Sequence, residues 1–226
     1  MRRVCALVFA LLSLLASLAG CGGGGEGEGT ATLWVTQDRG ERMLLEARVP
    51  AGQTLMRALA AELEIETRYG GRFLQAMAGL EGDLDRQRDW FWFVNGYEGD
   101  RSAASYRLRD GDVAWLDYRG WEREGEARVV VGAFPEPFLH GYEGRTRRAV
   151  IRFEGAQNGR ANGLAKLIGA DSVGRLGVPV PRGANVLELR LGPDQARAEL
   201  LGETAGDPIR LVLSGELDLT RRYSIP

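Results

Sequence analysis

Trp90-Phe91-Trp92-Phe93-Val94-Asn95-Gly96 is the densest aromatic run in the chain. Large rings and a β-branched residue in unbroken succession predict a strand. Asn95 and Gly96 both tolerate positive φ, so the strand must end there in a tight turn. Side chains alternate along a strand. Trp90, Trp92 and Val94 therefore share one face, and Phe91, Phe93 and Asn95 share the other. One face must cover a helix, which leaves the other to show large rings to water or to a partner.

Upstream, Thr32–Thr36 reads as a strand, Gln37-Asp38-Arg39-Gly40 as a turn, and Met43–Val49 as a second strand. Pro50-Ala51-Gly52 breaks it. Thr54 then caps a helix in which Leu55, Met56, Leu59 and Leu63 recur at helical spacing. Tyr69-Gly70-Gly71 ends that segment, Phe73–Met77 is a weaker strand, and Glu81–Asp89 is a polar loop. Downstream of the aromatic run, Tyr106-Arg107-Leu108 enters the turn Arg109-Asp110-Gly111-Asp112, and Val113–Tyr118 is the closing strand. The order β-β-α-β-β-β predicts a small mixed α+β sheet with one helix across it.

These segments resemble the DUF4430 family, the transcobalamin-like C-terminal domain. The resemblance runs over roughly residues 30–120. It rests on the two-strand start, Val49-Pro50-Ala51-Gly52-Gln53-Thr54-Leu55, Gly70-Gly71-Arg72-Phe73, the aromatic run, and Leu108-Arg109-Asp110-Gly111-Asp112-Val113. It implies a β-grasp-like fold on the cell surface and, for some members, contact with cobalamin.

The amino end reads as an address. Met1-Arg2-Arg3 is basic and Val4–Ala19 is almost wholly apolar, the pattern of a cleaved signal peptide over residues 1–20. Leu18-Ala19-Gly20-Cys21 resembles the bacterial lipobox, which implies a diacylglyceryl group on the Cys21 sulfur. Residues 21–29, glycine-rich and polar, form a flexible tether. The expected product is an extracytoplasmic lipoprotein held to the bacterial cell membrane, since acyl chains anchor by burying their methylenes. Cys5 leaves with the signal. Cys21 is then the sole cysteine, and the folded body has no disulfide, no zinc cluster and no cysteine nucleophile.

A domain at 30–124 is expected to be followed by a second small α+β domain at 125–226, of no nameable family. There, Ala127–Gly132, Ala149–Phe153, Val186–Leu191 and Ile209–Leu213 read as strands. Ala161–Ile168 reads as a helix with Leu164, Leu167 and Ile168 on one face, and Asp194–Leu201 as either helix or strand. Gly96-Tyr97-Glu98-Gly99 recurs as Gly141-Tyr142-Glu143-Gly144, without a matching element order.

Composition narrows function. The 226 residues, 44% hydrophobic and 27% charged, exclude a disordered chain, and a formal charge of -2 argues against a nucleic-acid binder. No serine sits in a nucleophile context with His140, the sole histidine. Asp110-Gly111-Asp112 lacks the regular oxygen ligands of a calcium loop and reads as a turn. No enzyme, metal or cofactor is expected. The aromatic surface is the functional lead. Trp90 and Trp92 form the expected ligand floor, Tyr97 and Arg101 its edge, and Trp115 a neighbouring ring. The expected ligand is a cobalamin-like or other ring-bearing small molecule, with a membrane transporter as partner. The alternative is a non-catalytic envelope module that docks another protein.

Overall fold

The computed structural model describes residues 29–121, 128–217 and 219. The signal run, Cys21 and the tether through residue 28 lie outside them, as do residues 122–127 around the expected boundary. Among the described residues no helix is long and apolar enough to cross a membrane.

The architecture is mixed α+β, built mainly of strands. β1 (Thr30–Gln37), β2 (Arg42–Pro50), β6 (Arg88–Val94), β7 (Tyr97–Glu98) and β8 (Val113–Gly120) form one sheet in the order β2-β1-β8-β6-β7. β1 and β8 run parallel, and the other pairs are antiparallel. β8 is therefore central, and its burial is continuous through Arg119 rather than alternating. Helix α1 (Leu55–Glu62) follows β2. The Thr54 side chain accepts a hydrogen bond from Arg57 N (3.3 Å), and Leu55, Met56, Ala58 and Leu59 are buried.

β3 (Ile65–Arg68), β4 (Phe73–Met77) and β5 (Leu80–Glu81) make a separate antiparallel meander. Only β4 was legible. β3 carries exposed polar residues and exists through its pairing with β4. β7 is a two-residue return from the Asn95-Gly96 turn, where φ is 49° and 85°.

The second half holds β9 (Ala149–Phe153), β10 (Ser172–Arg175), β11 (Asn185–Arg190), β12 (Gln195–Leu200) and β13 (Ile209–Ser214), in the order β10-β9-β11-β13-β12. Before them comes the one-turn α2 (Glu136–Leu139). Helix α3 (Asn158–Ile168) supplies the crossover that the parallel pair β9–β10 requires. Asp194–Leu201 resolves as a strand. Of the expected strand at Ala127–Gly132, Ala127 lies outside the described residues and residues 128–132 form no strand. Val129 makes one bridge to Tyr97, and Val131–Ala133 is a 3₁₀ turn buried against the core. On α3, Ala161 and Ile168 face inward, whereas Leu167 is 49% exposed, contrary to expectation.

One apolar cluster draws on both large sheets. Leu33, Leu59, Leu116, Tyr142, Ile151, Leu187 and Leu211 all belong to it. A smaller cluster, Trp34, Phe93, Val113, Trp115 and Val130, lies on the other face of the first sheet.

Candidate functional site

The register of β6 against β8 decides where the predicted residues go. Trp90 faces Tyr118 and Phe93 faces Trp115, so Trp115 lies on the opposite side of the sheet from Trp90 and Trp92. Its indole is 0% exposed and donates from Nε1 to Thr36 Oγ1 (2.7 Å). Thr36 in turn donates to Asp117 Oδ1 (2.5 Å). Trp115 is thus part of a buried polar chain inside the small cluster and offers no ring to a ligand.

Tyr97 is likewise interior. It is 1% exposed, its ring meets Tyr142 edge-on at 5.8 Å, and its hydroxyl donates to Asp207 O at 3.4 Å. Burial pushes its phenol up to about 12. The repeated Gly-Tyr-Glu-Gly segments therefore touch each other through their tyrosines. Arg101 is part-exposed, but its guanidinium is held by Asp100 (Nε, 2.7 Å) and Glu143 (Nη1, 2.8 Å). The same guanidinium holds the Asp100 carboxyl below its ordinary range.

Trp90 and Trp92 do share a face, toward α1 and the main core, and both are half-buried. Trp92 packs 5.5 Å from Tyr106, and a Cβ on Gly99 would stand 2.0 Å from its indole. Gly99 is what lets the loop cover that ring. Trp90 donates from Nε1 to Leu80 O (3.1 Å) and lies 5.3 Å from Tyr118. The expected arrangement, a floor of Trp90 and Trp92 with Tyr97 and Arg101 at its edge and Trp115 beside it, is therefore not assembled, although Trp90 and Trp92 share a face. Trp90 and Trp92 lie on one sheet face, Trp115 on the other, Tyr97 in the interior and Arg101 in a part-exposed loop.

The exposed rings lie elsewhere. Tyr69, 79% exposed, and Phe73, 42% exposed, flank the β3–β4 turn with their rings 6.2 Å apart. Tyr69, Gly70 and Gly71 all have positive φ there (52°, 67° and 85°). The two rings line an open groove of about 860 Å³ that Leu84, Asp89 and Tyr118 also line. Tyr118 donates from its hydroxyl to Glu81 O (2.8 Å), and both residues line the groove. Within it Glu81 accepts from Gln75 Nε2 (2.9 Å) and pairs with Arg68 (3.5 Å). Burial raises the Asp89 carboxyl above its ordinary value, against a hydrogen bond from Trp90 N. Ring faces for stacking beside polar groups for orientation are the ingredients of a small-molecule site. The sequence signal was present, since two aromatics bracket Gly70-Gly71, but it reads first as a helix end.

His140 takes a structural place, with Nδ1 2.6 Å from Glu136 Oε2. Among the described residues no group of three or more His, Cys, Asp or Glu side chains is placed to hold a metal ion.

No curated protein matches the chain. Among solved structures, a proposed metal binding protein from Ruminococcus gnavus is 21% identical, with a TM-score of 0.36, over 42% of this chain and 99% of that one. Haptocorrin in complex with Cbi is 14% identical, also with a TM-score of 0.36, over 44% of this chain and 27% of its own. Likenesses of this size fix neither ligand nor site. The model for DUF4430, a domain of unknown function, matches residues 52–120, from the entry to α1 through the end of β8, and leaves β1 and β2 outside. The likeness to DUF4430 is accordingly one of residues 52–120 and not of the whole chain.

Proposed function

We propose that this chain is a non-catalytic binding protein, anchored outside the cell by lipid on Cys21, whose DUF4430 segment takes a ring-bearing small molecule for delivery to a membrane transporter. The first half is β-grasp-like on this reading: a mixed sheet crossed by α1. The ligand lies in the groove between the β3–β5 meander and the β5–β6 turn. The observation that carries this is the Tyr69–Phe73 pair. Two rings 6.2 Å apart stand in solvent at the wall of an 860 Å³ groove, at a turn where burial would have been the cheaper place for them. A corrinoid is the probe to try first, because it is flat, ring-bearing and coloured. Leu84, 80% exposed and also lining the groove, adds apolar contact for such a molecule.

The test is direct. Purified full-length protein in detergent, mixed with hydroxocobalamin or cobinamide and desalted, should stay coloured. Tyr69→Ala with Phe73→Ala should weaken retention by about ten-fold or more, with the circular dichroism spectrum unchanged because neither ring is buried. A colourless wild type would remove corrinoids as the ligand and turn the groove's aromatic wall toward a protein partner. Retention unaffected by the double substitution would put the site elsewhere.

A further inference from the structure

Sheet edges are templates for another strand unless they are blunted. Among the described residues most edges here are. β7 and β5 have two residues each, β10 has four, and β3 has four with a register shift. β2 is longer, but it is met by a register shift at Val35/Thr36 and ends in Pro50. β12 differs. It has six residues, Gln195-Ala196-Arg197-Ala198-Glu199-Leu200, with no proline, no lysine and an unbroken register against β13. Its outer side carries no neighbour in the sheet order.

The hydrogen-bond phase of that edge is readable. Just past the strand, Leu201 N donates to Pro208 O (2.7 Å). Antiparallel bonding alternates, so residues 199, 197 and 195 turn their backbone groups toward β13, and Ala196, Ala198 and Leu200 turn theirs outward. The side chains alternate as well. Ala196, Ala198 and Leu200 lie half-buried on the core face, and Arg197 and Glu199 stand exposed on the other. Glu199 pairs with Arg210 (2.9 Å), whereas Arg197 has no hydrogen bond or ion pair among the described residues.

We infer that the β12 edge is a self-association surface, and that its partner is a second copy of this chain. A two-fold axis through Ala198 sets two β12 strands antiparallel. Ala198 then faces its own counterpart, Ala196 faces Leu200, and Arg197 faces Glu199 twice. Side chains directly opposite share a face, so the apolar set meets the apolar set and each arginine meets a carboxylate. The outward amides and carbonyls of 196, 198 and 200 complete one another. The two five-stranded sheets become one ten-stranded sheet, with an isologous interface that closes on itself. Charge complementarity singles out this register. The register centred on Arg197 would oppose two arginines.

Sedimentation of the full-length protein in detergent, across a wide concentration range, should show a reversible dimer. Arg197→Glu replaces both cross-strand attractions by repulsions and should raise the dimer dissociation constant about ten-fold or more. Association through the apolar amino end would not respond to that change. Glu199→Arg should likewise be monomeric. Mixing Arg197→Glu with Glu199→Arg should restore a dimer containing one copy of each, since every cross-strand pair is again of opposite sign. A monomeric wild type, a dimer indifferent to Arg197→Glu, or a mixture that stays monomeric would each overturn the inference. Corrinoid retention does not enter any of these outcomes.

Discussion

Asp112 is 1% exposed, and three donors point at its carboxylate: Asn95 Nδ2 (2.7 Å), Tyr106 Oη (3.1 Å) and Arg109 N (2.9 Å). Burial nevertheless outweighs these bonds and holds the carboxyl above its ordinary 3.8. An acid whose folded value lies above its unfolded one binds the proton more tightly when folded. Its contribution to stability is complete below pH 3.8 and is lost as the pH rises through the folded value. Asp112→Asn abolishes that titration. Urea denaturation should show the stability of wild type minus variant falling as the pH is raised from 3.8 toward neutrality. A flat difference curve would mean that Asp112 titrates like a surface acid. The same residue marks how far single positions are legible. The turn at Asp110-Gly111-Asp112 was readable from residue type, but the burial of one acid and the exposure of the other were not, because they depend on Asn95 and Tyr106 arriving from elsewhere.

Elements with their own signals formed as expected. Thr54 before a helical apolar spacing gave α1, and alternation or apolar runs gave β1, β2, β6, β8, β9, β11 and β13. With eight residues, α1 is too short to persist alone and leans on both its cap and its buried face. Thr54→Ala should cost about 1 kcal/mol, read as a lower urea midpoint at unchanged slope. A cost near zero would show that packing of Leu55 and Leu59 alone holds the helix start. The strands without a signal of their own, β3, β5, β7 and β10, have four residues or fewer and little apolar content. Each is a strand because a neighbour offers it hydrogen bonds, which is information its own residues do not carry. Ala127–Gly132 failed in the opposite way. Its valines suit a strand, but Val129 and Val131 fill the main core with Phe134 and Phe138, and Val130 fills the smaller cluster.

At the scale of the molecule the two large sheets share one interior. Tyr142, 0% exposed, touches Tyr97 at 5.8 Å and Tyr106 at 5.7 Å, and its hydroxyl donates to Asp100 Oδ1 (2.5 Å). Asn95 donates to Gly141 O (2.9 Å), and Asn185 Nδ2 donates to Pro137 O (3.3 Å). Tyr142→Ala removes a ring from the middle of that junction and one of the donors to Asp100, which Arg101 still holds. It should destabilise the protein by about 3–5 kcal/mol. Calorimetry of the variant should show one transition moved to lower temperature, since the cluster around Tyr142 belongs to both sheets. A split into two transitions, with one at the wild-type temperature, would show that the sheets unfold independently.

The amino-acid sequence by itself determined the class of the fold, the aromatic strand with its Asn95-Gly96 turn, the cap of α1 and the DUF4430 likeness of residues 52–120. Those are local properties, set by alternation, helical spacing and the φ preferences of turn residues. Tertiary structure alone decided which rings meet solvent. The pairing of β6 with β8 sends Trp115 to the far face, the Gly-Tyr-Glu-Gly segments bury each other's tyrosines, and the left-handed turn at Tyr69-Gly70-Gly71 leaves Tyr69 and Phe73 outside. Register is a relation between strands distant in sequence. A slip of one residue exchanges every inward side chain for an outward one, so a surface of this kind becomes visible only once the partners are in place.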